Sequence, residues 1–225
     1  MKSIIPLKGL VVSCQALEDE PLHGSSYMVA MAKAAHMGGA VGIRSNGAQD
    51  IRAIKQALDL PVIGLNKKLV QGYDVYITPT VEDAVEVHRA GADIVAMDGT
   101  GRARPDGRTL EETIRELHAQ GILVMADIST LEEGVYAASL GADYISTTLS
   151  GYTPYSRQEP GPDLPLITQL KQRVSVPVAA EGRIGSPQEA AAAIDAGADF
   201  VVVGGAITRP QCITASFVNE IKSSR

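Results

Sequence analysis

The 225-residue chain has no tryptophan, 2 phenylalanines and 7 tyrosines, so aromatic residues make up 4% of it. A core drawn from such a chain must be aliphatic and built from small, close-packing units; 22 glycines and recurrent Ala blocks fit that description. Cysteine is scarce as well. Cys14 and Cys212 make neither a disulfide framework nor a metal quartet, and read as small buried thiols in a reducing, cytoplasmic compartment. There is no basic excess: 20 Lys and Arg stand against 26 Asp and Glu, for a net charge of −6. That balance argues against a nucleic-acid or membrane-surface binder, which needs a positive field. It leaves room for a small anionic ligand held by a few local cations. No apolar run approaches the ~18 residues of a membrane span, and the start, MKSIIPLKGL, is too short and interrupted for a signal peptide. His36, His88 and His118 fall late in helical stretches, and with His23 they show no metal-ligand spacing, so no metal is expected.

What the chain does have is internal repetition. Gly91-Ala-Asp, Gly141-Ala-Asp and Gly197-Ala-Asp each open an apolar run, and Gly39-Ala-Val-Gly-Ile shares the shape. A second class lies between them: Leu60-Pro-Val-Ile-Gly-Leu, Gly121-Ile-Leu-Val-Met-Ala and Val176-Pro-Val-Ala-Ala. These runs do not alternate apolar with polar, as expected of strands buried on both faces of a parallel sheet. Strands are expected near 9–13, 40–44, 61–65, 93–97, 122–127, 143–147, 176–180 and 199–203. Helices are expected near 25–37, 48–58, 80–90, 109–119, 130–140, 163–174, 186–196 and 211–222. Thr109-Leu-Glu-Glu112 and Thr130-Leu-Glu-Glu133 are capping boxes, Ser186-Pro-Gln-Glu189 places Pro at a first helical position, and Gly91, Gly141 and Gly197 read as C-terminal caps. Tyr73–Thr78 is a short extended piece left outside the barrel. Eight alternating units of about 28 residues close into a single-domain (β/α)8 TIM barrel spanning 1–225. A doubly wound open sheet is the alternative architecture.

In a (β/α)8 barrel the chemistry sits at the C-terminal strand ends. Lys67 directly follows the apolar run Pro61–Leu65. Partial desolvation and the neighbouring cations Arg44 and Lys68 would lower its pKa, giving a neutral amine able to act as general base or to form a Schiff base. Glu181 ends the seventh strand and is either an acid/base partner of Lys67 or a salt bridge to Arg183. Asp127 could orient Lys67 or a ligand hydroxyl. Gln15 and Arg44 look like ligand clamps. Gly204 and Gly205 after the last strand, with Gly182 and Arg183 after the seventh, form the pattern of a phosphate cradle. Gly99–Gly107 lacks the ending of a P-loop, and its Arg102 and Arg104 either guard the mouth or pair with acids. Three functions remain open on these residues: a proton-transferring isomerase, a Schiff-base lyase or aldolase, and a sugar-phosphate-binding protein without catalysis.

The strand ends, taken together, are similar to one family. Val12-Ser-Cys-Gln15, Gly42-Ile-Arg44, Val62-Ile-Gly-Leu-Asn-Lys67, Met97-Asp-Gly-Thr100, Ala126-Asp-Ile-Ser-Thr130, Thr147-Thr-Leu-Ser-Gly-Tyr-Thr153, Ala180-Glu-Gly-Arg183 and Gly205-Ala-Ile-Thr-Arg-Pro210 resemble the N-acetylmannosamine-6-phosphate 2-epimerases, in order along the chain. The resemblance implies a (β/α)8 barrel that interconverts N-acetylmannosamine 6-phosphate and N-acetylglucosamine 6-phosphate without a cofactor, in amino-sugar breakdown. It implies catalytic roles for Lys67 and Glu181, sugar contacts for Gln15, Arg44 and Asp127, and a phosphate site at the glycine loops. It also implies a homodimer using the last helix. In that helix Ile213, Phe217 and Ile221 recur at four-residue spacing, which by itself reads as barrel-packing surface. Asn66 departs from the aliphatic residue expected before the lysine, and Tyr155–Asp163 follows no pattern of the family.

Overall fold

A computed structural model describes residues 3–223. Its strands are β1 (Gly9–Cys14), β2 (Gly42–Asn46), β3 (Val62–Leu65), β4 (Ile94–Asp98), β5 (Val124–Asp127), β6 (Tyr144–Ser146), β7 (Val178–Glu181) and β8 (Phe200–Val203). All pair in parallel, in chain order, and β8 returns to β1 through Gly9↔Phe200 and Leu10↔Val201, so the sheet is a closed barrel. Around it run α1 (Ser25–Met37), α2 (Ala48–Ala57), α3 (Val81–Arg89), α4 (Leu110–Ala119), α5 (Leu131–Ser139), α6 (Leu164–Arg173) and α7 (Pro187–Asp195). A single turn, α8 (Gly205–Thr208), and a longer α9 (Pro210–Ser223) complete the described chain. The fold is the expected (β/α)8 barrel, with strand limits within one or two residues of the sequence reading.

Two layers of apolar side chains hold it. Val11, Ile63, Leu65, Ile94, Met125 and Phe200 fill the barrel interior with Tyr144, whose ring meets Phe200 edge-on at 6.2 Å and 73°. Ile5 joins this layer, and the amide of Ile4 donates to the Tyr144 hydroxyl, closing the bottom. The second layer lies between strands and helices, where Ile43, Ile51, Val95, Ile114, Ala126 and Leu170 are fully buried. With so few aromatics, β-branched and Ala side chains fill this space at close packing.

Helix starts follow the expected chemistry. Thr109 and Thr130 each accept from the amide of the Glu three residues on, and each Glu accepts the cap's own amide. Ser186 caps α7 by accepting the Glu189 amide, but the Glu189 carboxylate takes the Gly185 amide instead of returning to Ser186.

The repeated Gly-Ala-Asp has a physical purpose. Gly91, Gly141 and Gly197 take φ of 110°, 98° and 109°, past the helix ends, where a side chain is disfavoured. The following Asp is a staple across the barrel bottom. Asp93 Oδ2 accepts the Val62 amide at 2.8 Å and Lys55 Nζ at 2.9 Å. Asp143 Oδ2 accepts the Val124 amide at 2.8 Å and meets His118 Nε2 at 3.0 Å. Asp199 Oδ2 accepts the Val178 amide at 2.7 Å and Lys171 Nζ at 2.7 Å. Each carboxylate satisfies the first amide of the strand before it and also binds a Lys or His side chain from the helix that precedes that strand.

Two expectations are corrected. The last helix is not barrel-packing surface: none of its residues is buried, and Phe217 and Ile221 are 67% and 65% exposed. Its Cys212 is exposed too, whereas Cys14 is buried among apolar neighbours, which push its thiol up to about 12.

Candidate active site

The mouth at the C-terminal strand ends holds a cavity of about 630 Å3, within the size range of small-ligand sites. Gln15, Arg44, Lys67, Glu181, Gly182, Arg183, Gly204 and Gly205 all line it. Asp127 does not reach its surface. Fully buried at the end of β5, it lies behind Arg44.

Arg44 is the hub. Its Nη2 meets Asp127 Oδ2 at 2.6 Å, and its Nη1 meets Asp127 Oδ1 at 3.2 Å and Glu181 Oε2 at 3.0 Å. Burial disfavours the Arg44 charge, but Asp127 and then Glu181 more than offset it, and its pKa is raised. Thr148, just past β6, donates to Asp127 Oδ1 at 2.8 Å and lies 3.2 Å from Glu181 Oε2. One hydroxyl and one guanidinium therefore bind both carboxylates. The Glu181 backbone is fixed as well: its amide donates to Thr147 Oγ1, which donates to the Glu181 carbonyl.

Burial pushes the Glu181 carboxyl up to about 7; Arg44 opposes the rise, Asp127 adds to it, and Thr148 and Lys67 oppose it. Lys67 stands on the open rim, and among the described residues its Nζ makes no hydrogen bond or ion pair. Surrounding protein lowers its pKa, Arg44 lowers it further, Glu181 opposes, Arg209 adds to the lowering and Asp127 opposes. The lowered lysine was anticipated, but one of its causes was not. Lys68 turns away to Asp83 at 3.4 Å, and Arg209, from the turn after α8, is the second cation. Arg209 itself forks onto Glu20, with Nε at 3.0 Å from Oε1 and Nη2 at 3.1 Å from Oε2.

Asn66 positions the lysine. Its side chain donates to Asp83 Oδ1 at 3.0 Å and its backbone bonds Thr78 in both directions. The Lys67 amide then donates to Asn46 Oδ1 at 2.7 Å. The extended piece 73–78 lies outside the barrel as expected, pairing antiparallel with the segment after β3 through Lys67↔Ile77. It brings Tyr76 to the cavity, where burial, then Asp127 and Asp98, raise the phenol pKa.

Several placements differ from the simple strand-end reading. Glu181 pairs with Arg44 and not with Arg183. The Arg183 guanidinium donates instead to the carbonyls of Glu159 and Arg157. Arg102 pairs with Asp98 at 2.5 Å, and Arg104 is buried against the Asp98 carbonyl. Thr148, Tyr76 and Arg209 were missed as site residues. Thr148 and Arg209 stand in the strand-end strings quoted above, but nothing local marks which of their neighbours faces inward. Among the described residues no cluster of three His, Cys, Asp or Glu side chains is placed to hold a metal ion.

Comparison with known proteins identifies the family. Residues 28–223 match the family model described as "Putative N-acetylmannosamine-6-phosphate epimerase". A protein of Caldanaerobacter subterraneus subsp. tengcongensis bearing the name "Putative N-acetylmannosamine-6-phosphate 2-epimerase" is 57% identical over 219 residues, covering 96% of this chain and 92% of that protein. One of the same name from Clostridium perfringens is 50% identical over 213 residues, covering 95% and 96%. The solved structure of the N-acetylmannosamine-6-phosphate 2-epimerase from Clostridium perfringens superposes with a TM-score of 0.93 at 48% identity, covering 96% of this chain and 94% of that one. On the matched length, identity and fold, the chain belongs to the N-acetylmannosamine-6-phosphate epimerase family.

Proposed function

We propose that the protein interconverts N-acetylmannosamine 6-phosphate and N-acetylglucosamine 6-phosphate by moving the proton at C2. One observation carries this reading: a lysine lowered and a carboxyl raised in pKa face one cavity and share the charges of Arg44 and Asp127. Lowering the one and raising the other brings the pKa values of a base and an acid closer together in a single site.

In the closed pyranose the C2 proton is hardly acidic. Ring opening exposes the C1 aldehyde, and C2–H then lies α to a carbonyl. Neutral Lys67 takes the C2 proton, and the electron pair moves onto the carbonyl oxygen as an enolate. Glu181, with its carboxyl raised to about 7 and so about half protonated at that pH, supplies a proton at the sugar oxygens, with the Arg44 charge alongside. Returning a proton to the opposite face of C2 inverts it. Gly182, Gly204 and Gly205 present backbone without side chains to the phosphate, and Gln15 contacts the sugar. Asp127 acts through Arg44 and Thr148 and keeps the Glu181 carboxyl high.

The same reading makes the protein a homodimer in which a second copy covers the apolar face of α9. Two free thiols, Cys14 and Cys212, fit a reducing cytoplasm. No described helix is long and apolar enough to cross a membrane.

Turnover in heavy water is the test. Deuterium is expected at C2 of the product, and K67A is expected to abolish both turnover and label. Product without C2 label refutes proton transfer, and covalent capture of substrate by borohydride points to a Schiff base instead.

A further inference from the structure

The segment from Thr147 to Asp163 begins at the catalytic carboxylate and then folds on itself. The Gly151 amide donates to Ser156 Oγ at 2.8 Å, and Ser156 Oγ donates to the Thr153 carbonyl at 3.0 Å. Gln158 Nε2 donates to the Thr153 and Ser156 carbonyls at 2.7 and 2.9 Å. Ser150 donates to Asp163 Oδ2 at 2.7 Å, anchoring the loop to the start of α6.

Arg183 locks this fold to the barrel from the other side. Gly182 and Arg183 take φ of 100° and 58°, and the second is uncommon for a residue with a side chain. The two left-handed steps turn the Arg183 side chain onto the loop, where Nη1 donates to the Glu159 carbonyl and, at 3.3 Å, to that of Arg157, and Nη2 reaches Ser150 Oγ at 3.4 Å. The guanidinium lies flush on Gly151: a Cβ there would sit 2.5 Å from Arg183 Cζ. Only glycine admits that approach.

Between clamp and cavity stands Tyr152. Its ring lies 3.7 Å from where a Gly182 Cβ would be, and it lines the cavity while remaining 59% exposed. A phenol so placed offers a ring face to the carbon skeleton of a sugar and an O–H to a phosphate or hydroxyl oxygen. Its own side chain makes no hydrogen bond among the described residues, so its place depends on the backbone that Arg183 holds.

We infer that Arg183 is a positioning residue that clamps the 150–159 loop so that Tyr152 forms a wall of the substrate site and grips the bound sugar phosphate. This rests on the epimerase reading for the identity of the ligand, not for the clamp itself.

R183Q, Y152A and the double variant test it with N-acetylmannosamine 6-phosphate. Each single variant is expected to raise KM about tenfold and leave kcat within about twofold, because binding is lost and the proton-transfer groups are not touched. The double variant is expected to be no worse than the more impaired single one, since both remove the same contact. Trypsin cleavage after Arg157, followed by mass spectrometry, is expected to quicken in R183Q and not in Y152A. G151A, whose methyl group displaces the guanidinium, is expected to reproduce R183Q in both readouts and serves if R183Q does not fold. Multiplicative KM effects in the double variant overturn the inference, because they mean that Arg183 binds phosphate by itself; so does unchanged cleavage. A wild-type protein that fails to interconvert the two sugars sinks the epimerase reading, and the cleavage comparison still decides the clamp.

Discussion

Replacing Glu181 by glutamine is expected to stabilise the protein and inactivate it at once. The folded chain raises this carboxyl from an ordinary 4.5 to about 7. Between those two values the folded state holds a proton that the unfolded chain has released, so stability falls as pH rises through that window. At about 1.4 kcal/mol per pH unit the full loss above pH 7 is on the order of 3 kcal/mol. The side chain is 13% exposed, and this opening to solvent reduces the figure to about 2 kcal/mol. Glutamine matches the neutral acid in shape and cannot ionise. Urea unfolding of wild type and E181Q is therefore expected to agree near pH 4.5–5 and to separate in favour of E181Q by about 2 kcal/mol at pH 8, or ~4–8 °C in Tm. Deuterium incorporation at C2 by the variant is expected to fall to background. A stability difference that does not change with pH refutes the reasoning. So does a less stable variant at pH 8, which would mean that the Arg44 ion pair outweighs desolvation.

Three further outcomes follow from the site and its frame. T148V removes a hydrogen bond that lowers the Glu181 pKa, so the limb of the kcat/KM profile due to Glu181 is expected to move to higher pH, with kcat down about tenfold. D199A leaves the Val178 amide and Lys171 without their partner; unfolding is expected to cost about 1–3 kcal/mol less, with kcat/KM within about twofold because the change lies at the barrel bottom. Light scattering is expected to give a dimer for the wild type and a monomer when Phe217 and Ile221 are both changed to Asp, whereas a wild-type monomer rejects the homodimer.

Much of the barrel could be read from local signals. Capping pairs such as Thr109 with Glu112 act within four residues, and the doubly buried runs follow from a sheet covered on both faces. The rule that chemistry lies at strand ends brings Lys67, Glu181, Arg44 and Gln15 to one mouth on sequence alone. What escaped is the direction in which each polar side chain turns. Lys68 follows Lys67 yet pairs with Asp83, because successive residues of an extended segment face opposite sides. Arg183 resembled a phosphate ligand, but two left-handed residues carry it to carbonyls more than twenty positions away. Arg44 looked like a clamp for a ligand and is occupied by Asp127, whose position is set by a different strand. The last helix has an apolar stripe, and a stripe does not say whether its cover is the same chain or another copy.

The Asp staples also bear on the order in which the barrel forms. Each joins residues 31, 19 or 21 positions apart, so each can close as soon as its own βαβ unit exists. The seam from Gly9 to Phe200 must instead gather almost the whole chain. Because loop-closure entropy grows with the logarithm of length, that last joint carries roughly 2 kcal/mol more than a staple. Folding should thus run through stapled units that precede ring closure, and pulse-labelling of amide hydrogens during refolding should find Val62, Val124 and Val178 protected before the amides of β1. Simultaneous protection of both sets would mean that the ring closes as one event.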